Sequence, residues 1–382
     1  MSRETMDADA ILSFFWEVDE VRRRRSRHDG TGPAYTCVRN ADGGVTLTRM
    51  TGDVQAADIP SSFRGLPVTA IAPYAFAGCD RLRRVRVPHG VRSIGMGAFG
   101  SCTALEEICL PDTLETLGSQ CFAECSALTA LALPALLTEI PAGLCRGCTS
   151  LRTLRLSAGG LRSIGWQAFA DCGTLTEMSI PEGVVQVGEM AFSNCINLKR
   201  LNLPGTLRSL GSSAFAYCRE LDAVVLPEGL QRLGERAFFG CSALRKAGLP
   251  SSLREVTGSP FGSCPALTEI CVAQGNPVLT MCGPMLMHVP RREVLCYLCG
   301  REAQFAIVPA GTLAVAGHAF AGCAALYHVT LPEGLERLGD GAFSGCRALK
   351  RVNLPGSLRE TGADILTGCA CRRPPMPSPA EN

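Results

Sequence analysis

The sequence predicts an α/β right-handed solenoid, with a parallel β-sheet on its concave face and short helical turns on its convex face. Three observations lead there. A cysteine recurs at positions 79, 102, 125, 148, 172, 195, 218, 241 and 264, every 23 residues with one step of 24, and resumes at 323, 346 and 369. The same apolar residues surround each anchor, as in Ile94-Gly95-x-x-Ala98-Phe99-x-x-Cys102-x-x-Leu105-x-x-Ile108-x-Leu110-Pro111-x-x-Leu114. One such unit is too short to bury a core alone, so neighbouring units must stack and share an interior.

Two periodicities divide the unit. Leu105, Ile108 and Leu110 end in strict alternation with Glu107 and Cys109, which marks a short strand with one buried face. Pro111 stops that strand by removing a ladder donor. Cys102 lies three and four residues after Phe99 and Ala98, a spacing that predicts one side of a helical turn. The expected coil is therefore one strand, one turn and a short helical return, repeated twelve times over residues 60–369.

The unit also resembles a known repeat. Leu198-x-x-Leu201-x-Leu203 and Leu349-x-x-Val352-x-Leu354 match the first half of the leucine-rich-repeat signature. The second half differs, with Gly90, Thr113, Gly183, Thr206, Gly229, Gly334 or Ser357 where that signature places Asn. With the proline after the strand and the Ile-Gly-x-x-Ala-Phe-x-x-Cys return, the pattern resembles the BspA-type leucine-rich repeat. That resemblance implies a leucine-rich-repeat solenoid, and it implies adhesion to host or matrix proteins at a cell surface or after secretion.

The irregular regions fit the same plan. Residues 1–30 are expected to form an amphipathic helix, with Ile11, Leu12, Phe15 and Val18 on one side and Arg22 to Arg25 with Arg27 at its end. Residues 31–59 resemble a capping β-hairpin around the turn Asn40 to Gly44. The interval of 59 residues between Cys264 and Cys323 is expected to hold a degenerate repeat, at about 265–308, that carries a hairpin with strands at Met285 to Met287 and Val294 to Leu298. Residues 370–382, with Pro374, Pro375, Pro377 and Pro379, are expected to be a disordered tail.

Composition narrows the function. A net charge of +2 on 382 residues does not nominate a nucleic acid or a membrane as partner, and no run of apolar residues is long enough to span a bilayer. The first apolar run, Ile11 to Val18, is flanked by Asp7, Asp9, Asp19 and Glu20 and lacks the basic start of a signal peptide. This predicts a cytoplasmic chain whose 21 cysteines are mostly reduced, small core thiols; the alternative is a surface or secreted chain exported by a non-classical route.

Chemistry-bearing patterns are few. Cys282, His288, Cys296 and Cys299 are the one candidate zinc set, which would make the chain a zinc-stabilised interaction module, but a lone Cys-x-x-Cys is a weak signal. Gly95-Met96-Gly97-Ala98-Phe99-Gly100 matches a dinucleotide fingerprint in letters only, since it repeats with the coil and no βαβ unit surrounds it. No nucleophile and base pattern is evident, and neither an enzyme activity nor a cofactor is expected. The expected role is a non-enzymatic scaffold that binds a partner protein through its surface.

The outward strand positions are where a partner should sit. They carry Arg83, Arg84, Arg86, Arg152, Arg155, Lys199, Arg200, Arg245, Lys246, Lys350 and Arg351 against Glu106, Glu107, Glu177, Asp222 and Glu269. This excess of cations predicts an acidic protein partner, with Arg84, Arg86, Glu107, Arg155, Glu177, Arg200, Lys246 and Arg351 as the candidate contact residues. The lack of aromatics expected among these positions argues against stacking nucleic acid.

Overall fold

The computed structural model describes residues 33–371 apart from Ala158 and Glu302; the expected N-terminal helix and the tail beyond 371 lie outside the described residues. The chain divides into two compact units, Met1–Leu198 and Lys199–Asn382, each built from stacked coils.

The first unit opens on an antiparallel hairpin of Ala34–Arg39 and Val45–Thr51. Its turn closes through the Asn40 amide donating to the Gly44 carbonyl at 2.9 Å and the Gly44 amide donating to the Asp42 carboxylate at 3.0 Å. Gly43 supplies the left-handed φ of 88° that this turn requires. Val45–Thr51 then pairs in parallel with Leu66–Ile71, which joins the hairpin to the repeat ladder.

Two parallel ladders run through the coils that follow. One comprises Ala56–Asp58, Arg84–Arg86 and Glu107–Cys109, with Ala130–Leu133 pairing Thr153–Leu156 further on. The other joins Leu66–Ile71, Ser93–Ile94 and Thr116–Leu117, and then Glu139–Ile140, Ser163–Ile164 and Gln186–Val187. The sequence reading anticipated only the first, because strands of two residues are too short for alternation to show.

The second unit repeats the scheme. Ala223–Val225, Lys246–Leu249 and Glu269–Val272 form one strand ladder, and Phe305–Ile307, His328–Thr330 and Arg351–Val352 another. The residues between them fold as an antiparallel meander of Leu279–Cys282, Met285–His288 and Glu293–Tyr297. Its last strand pairs in parallel with Ala314–Val315, so the insertion rejoins the repeat register.

The expected helical returns do not form. Amides that would bond four residues back inside a helix instead donate to the next coil: Tyr74 to the Met96 carbonyl, Phe76 to Ala98 and Gly78 to Gly100, at 2.9, 2.7 and 2.8 Å. The intervening amides close three-residue turns, with Ala77 donating to Tyr74 and Cys79 to Phe76. Left-handed residues recur five residues and one residue before the anchors, as at Gln120 and Glu124 with φ of 57° and 59°, except that Gly258 takes the earlier place before Cys264. A helix cannot pass through such residues. The position before the anchor is often filled by Gly78, Gly147, Gly240, Asp171 or Asn194, residue types that tolerate this conformation best. The i, i+3, i+4 spacing was a true packing signal with the wrong backbone attached to it.

The interior is a stack of identical side chains. Phe76 lies 4.7 Å from Phe99 between ring centroids, and Phe99 lies 5.7 Å from Phe122, each pair nearly parallel. In the second unit Phe215, Phe238 and Phe261 stack at 5.6 Å, while Tyr297 takes the phenylalanine place beside Phe320 at 5.0 Å. The anchor thiols sit one coil on: Cys102 donates to the Phe76 carbonyl, Cys125 to Phe99 and Cys148 to Phe122, each at 3.1 Å. Burial explains why the residue is cysteine, since the site admits a small side chain with a weak donor. Gly118 has a related origin, because a Cβ there would collide with the backbone of Gly95 and Met96 in the preceding coil. Gly95, the first glycine of the fingerprint-like stretch, is likewise pressed on Ala72 and Pro73, so it serves coil packing.

Candidate protein-binding face

Alternation within the first strand of each coil sends one residue inward between two that face solvent. Val85 and Ile108 are buried, whereas Arg84, Arg86, Glu107 and Cys109 are exposed. Arg155, Glu177, Arg200, Lys246 and Arg351 likewise occupy exposed strand positions. All eight sequence-selected contact residues therefore lie at outward strand positions of their unit.

Register brings unlike charges together. Arg84 is aligned with Glu107, and Asp58 with Arg86, on neighbouring strands of the first unit. These residues, with Ala56, Val85 and Cys109, line a depression of about 410 Å³. Beside it Arg83 Nη1 donates to Glu106 Oε1 at 2.6 Å. In the second unit Lys246 Nζ lies 2.9 Å from Glu269 Oε2. The Glu269 carboxyl is held below its usual range by the hydrogen bond from Lys246, and the ammonium is pushed up by the same contact. Such exposed pairs contribute little to stability. Their effect is to break the cationic excess into local pairs.

The sequence reading missed an apolar element on the same kind of surface. Phe305 and Ile307 are 65% and 74% exposed, on either side of buried Ala306, and Val225 is 77% exposed in its own strand. Tyr327 is also exposed, with Lys350 Nζ lying 5.2 Å above its ring. The absence of aromatics expected at outward positions is thus corrected. The available signal was Phe305-x-Ile307-x-Pro309, which continues the strand-then-proline pattern, but the preceding interval without an anchor hid the register.

The thiols divide by burial. Cys195 and Cys264 are pushed up to about 12 by desolvation, so they stay protonated and unreactive at neutral pH. Cys109, Cys271 and Cys282 are exposed. Cys299 and Cys323 form a disulfide, which departs from the expectation that the Cys323 anchor is a core thiol.

The candidate zinc set is not assembled. Cys299 is consumed by that cross-link, Cys296 is buried, and Cys282 is exposed. His288 Nδ1 already accepts the Arg291 amide at 3.2 Å. Among the described residues no group of three or more His, Cys, Asp or Glu side chains could hold a metal ion. A pocket of about 250 Å³ beside the meander contains Cys282 and His288 among mainly apolar neighbours. No helix among the described residues is long and apolar enough to cross a membrane.

Comparison with known proteins agrees with this architecture. Residues 55–172, 162–279 and 304–380 match the BspA type leucine rich repeat region, in six copies. A leucine-rich repeat protein from Bacteroides ovatus is similar in structure, with a TM-score of 0.52 and 22% identity, covering 90% of this chain and 92% of that one. A leucine rich cell surface protein from Faecalibacterium prausnitzii gives a TM-score of 0.55 at 24% identity, covering 85% and 95% respectively. At such identities the likeness concerns the fold alone. No curated protein sequence matches the chain. The matched repeats span most of the sequence, and the chain belongs to the BspA-type leucine-rich repeat family.

Proposed function

We propose that this chain is a non-enzymatic scaffold that binds a partner protein through the outward residues of its strands, with Arg84, Arg86, Glu107, Arg155, Glu177, Arg200, Lys246 and Arg351 among the contacts. One observation carries this reading. Inward positions repeat the same few side chains from coil to coil, whereas outward positions carry cations, carboxylates, small residues and exposed apolar groups. Chemistry that the fold does not require is available for recognition. The surplus of cations supports an acidic partner surface, since complementary charge favours encounter and register.

Reversing Arg84, Arg86, Arg200 and Arg351 to Glu tests the charge component. Binding to an identified native partner should weaken and lose part of its salt dependence, while the unfolding free energy stays within about 0.5 kcal/mol of the parent per substitution. Unchanged binding would reject the acidic-partner reading.

A second reading concerns location. Disulfides persist in oxidising compartments, so the Cys299–Cys323 cross-link supports an extracellular adhesin over a cytoplasmic scaffold. Blocking free thiols during lysis and then mapping Cys299 and Cys323 by mass spectrometry decides this: a cross-linked pair fits export, and two blocked thiols fit the cytoplasm.

A further inference from the structure

We propose that the outward face of the strands Phe305–Ile307, His328–Thr330 and Arg351–Val352 is a docking site for an extended protein segment that carries apolar and acidic side chains within a few residues of each other. The proposal rests on the scaffold reading and names one place and one partner chemistry within it. Register aligns Phe305 with His328 and His328 with Arg351, and Ile307 with Thr330. The Phe305 and His328 rings lie 6.5 Å apart, and Lys350 leans over Tyr327 from the next coil. The outward positions of these strands thus combine exposed apolar side chains with Arg351 and Lys350 to one side, and none of them is a carboxylate.

Two features mark this surface. The exposed Phe and Ile side chains at the two ends of this short strand gain nothing for a fold whose core is complete without them, and exposed apolar clusters mark contact sites. Lys246 is aligned with Glu269 and Arg84 with Glu107, each cation beside a carboxylate, whereas Arg351 is aligned with His328. The complementary occupant is therefore acidic as well as apolar. Strands lie about 4.8 Å apart and an extended chain rises about 3.3 Å per residue, so an apolar residue over Phe305 places a carboxylate two to four residues away near Arg351. A nucleic acid fits less well, because two cations neutralise few phosphates and Ile307 offers no ring for stacking.

The test uses the full chain and fluorescein-labelled twelve-residue peptides read by anisotropy. One peptide alternates Leu with Asp, one Leu with Lys and one Ser with Asp; an oligothymidine is the fourth probe. The Leu–Asp peptide should bind at least about tenfold more tightly than the others. Replacing Phe305 and Ile307 together by Ser should weaken it by about tenfold or more, and Lys350→Glu with Arg351→Glu should shift preference toward the Leu–Lys peptide. Both double variants alter exposed positions, and circular dichroism confirms their folding. Equal binding of all peptides, no binding, preference for the oligothymidine, or indifference to Phe305→Ser/Ile307→Ser would each overturn the proposal. Capture of a native partner that survives this double variant, yet is lost on charge reversal at Arg84 and Arg86, would sink this site and leave the scaffold reading intact.

Discussion

The two units have the same kind of interior and differ on their surfaces. In the first unit, the second outward position of successive strands carries Asp58, Arg86, Cys109, Ala132, Arg155 and Ser179. In the second unit the same position carries Asn202, Val225, Gly248, Cys271, Ile307 and Thr330, with no charge among them. Beneath both, Phe rings stack at 4.7 to 5.7 Å and cysteine thiols donate to phenylalanine carbonyls. Packing fixes what faces inward and is indifferent to what faces outward. Recognition chemistry can therefore differ along one chain without disturbing the coil that carries it.

The largest expected effects lie in the interior of each unit. Phe99→Ala in the first unit and Phe238→Ala in the second should each cost about 3 to 5 kcal/mol in chemical denaturation, because both rings are fully buried. Similar costs are expected in the two units. A cost below about 1 kcal/mol at either site would break the comparison.

Next comes a feature found in the second unit. The Cys299–Cys323 bond closes a span of 24 residues, and its removal by Cys299→Ser with Cys323→Ser should lower stability by about 2 to 4 kcal/mol. Amides of 297–328 should then exchange faster with deuterium, while those of 84–117 keep their protection. Uniform loss of protection would contradict a local role.

How much of this was legible in the sequence depends on what each residue reports. The period and the inward Phe and Cys could be read from their fixed spacing, and the outward placement of the eight candidates from alternation within the strands. The return backbone could not. Ala98, Phe99 and Cys102 mark a shared packed side, but the spacing is equally compatible with turns whose amides reach the next coil. The second strand ladder escaped because pairs such as Ser93–Ile94 are too short to alternate. Phe305 and Ile307 were overlooked where the anchor spacing fails, which is also where the apolar surface lies.

A smaller effect concerns a thiol near the end of the described chain. Hydrogen bonding from Cys346, and secondarily from Cys371, stabilises the Cys369 thiolate and lowers it to about 7. Its thiolate fraction, and so its rate of alkylation, should rise with pH through a midpoint near 7. Cys346→Ala removes the principal donor and should move that midpoint upward. An unchanged midpoint in the variant would show that Cys346 does not hold the anion.

Site-specific photocrosslinking in the native cell tests the central claim most directly. A photoreactive residue placed at Arg86, Arg155, Lys246 or Ile307 should capture the partner protein, and one placed on the return side at Met96 or Glu189 should not. Capture confined to the return positions, with none from the strands, would contradict the account.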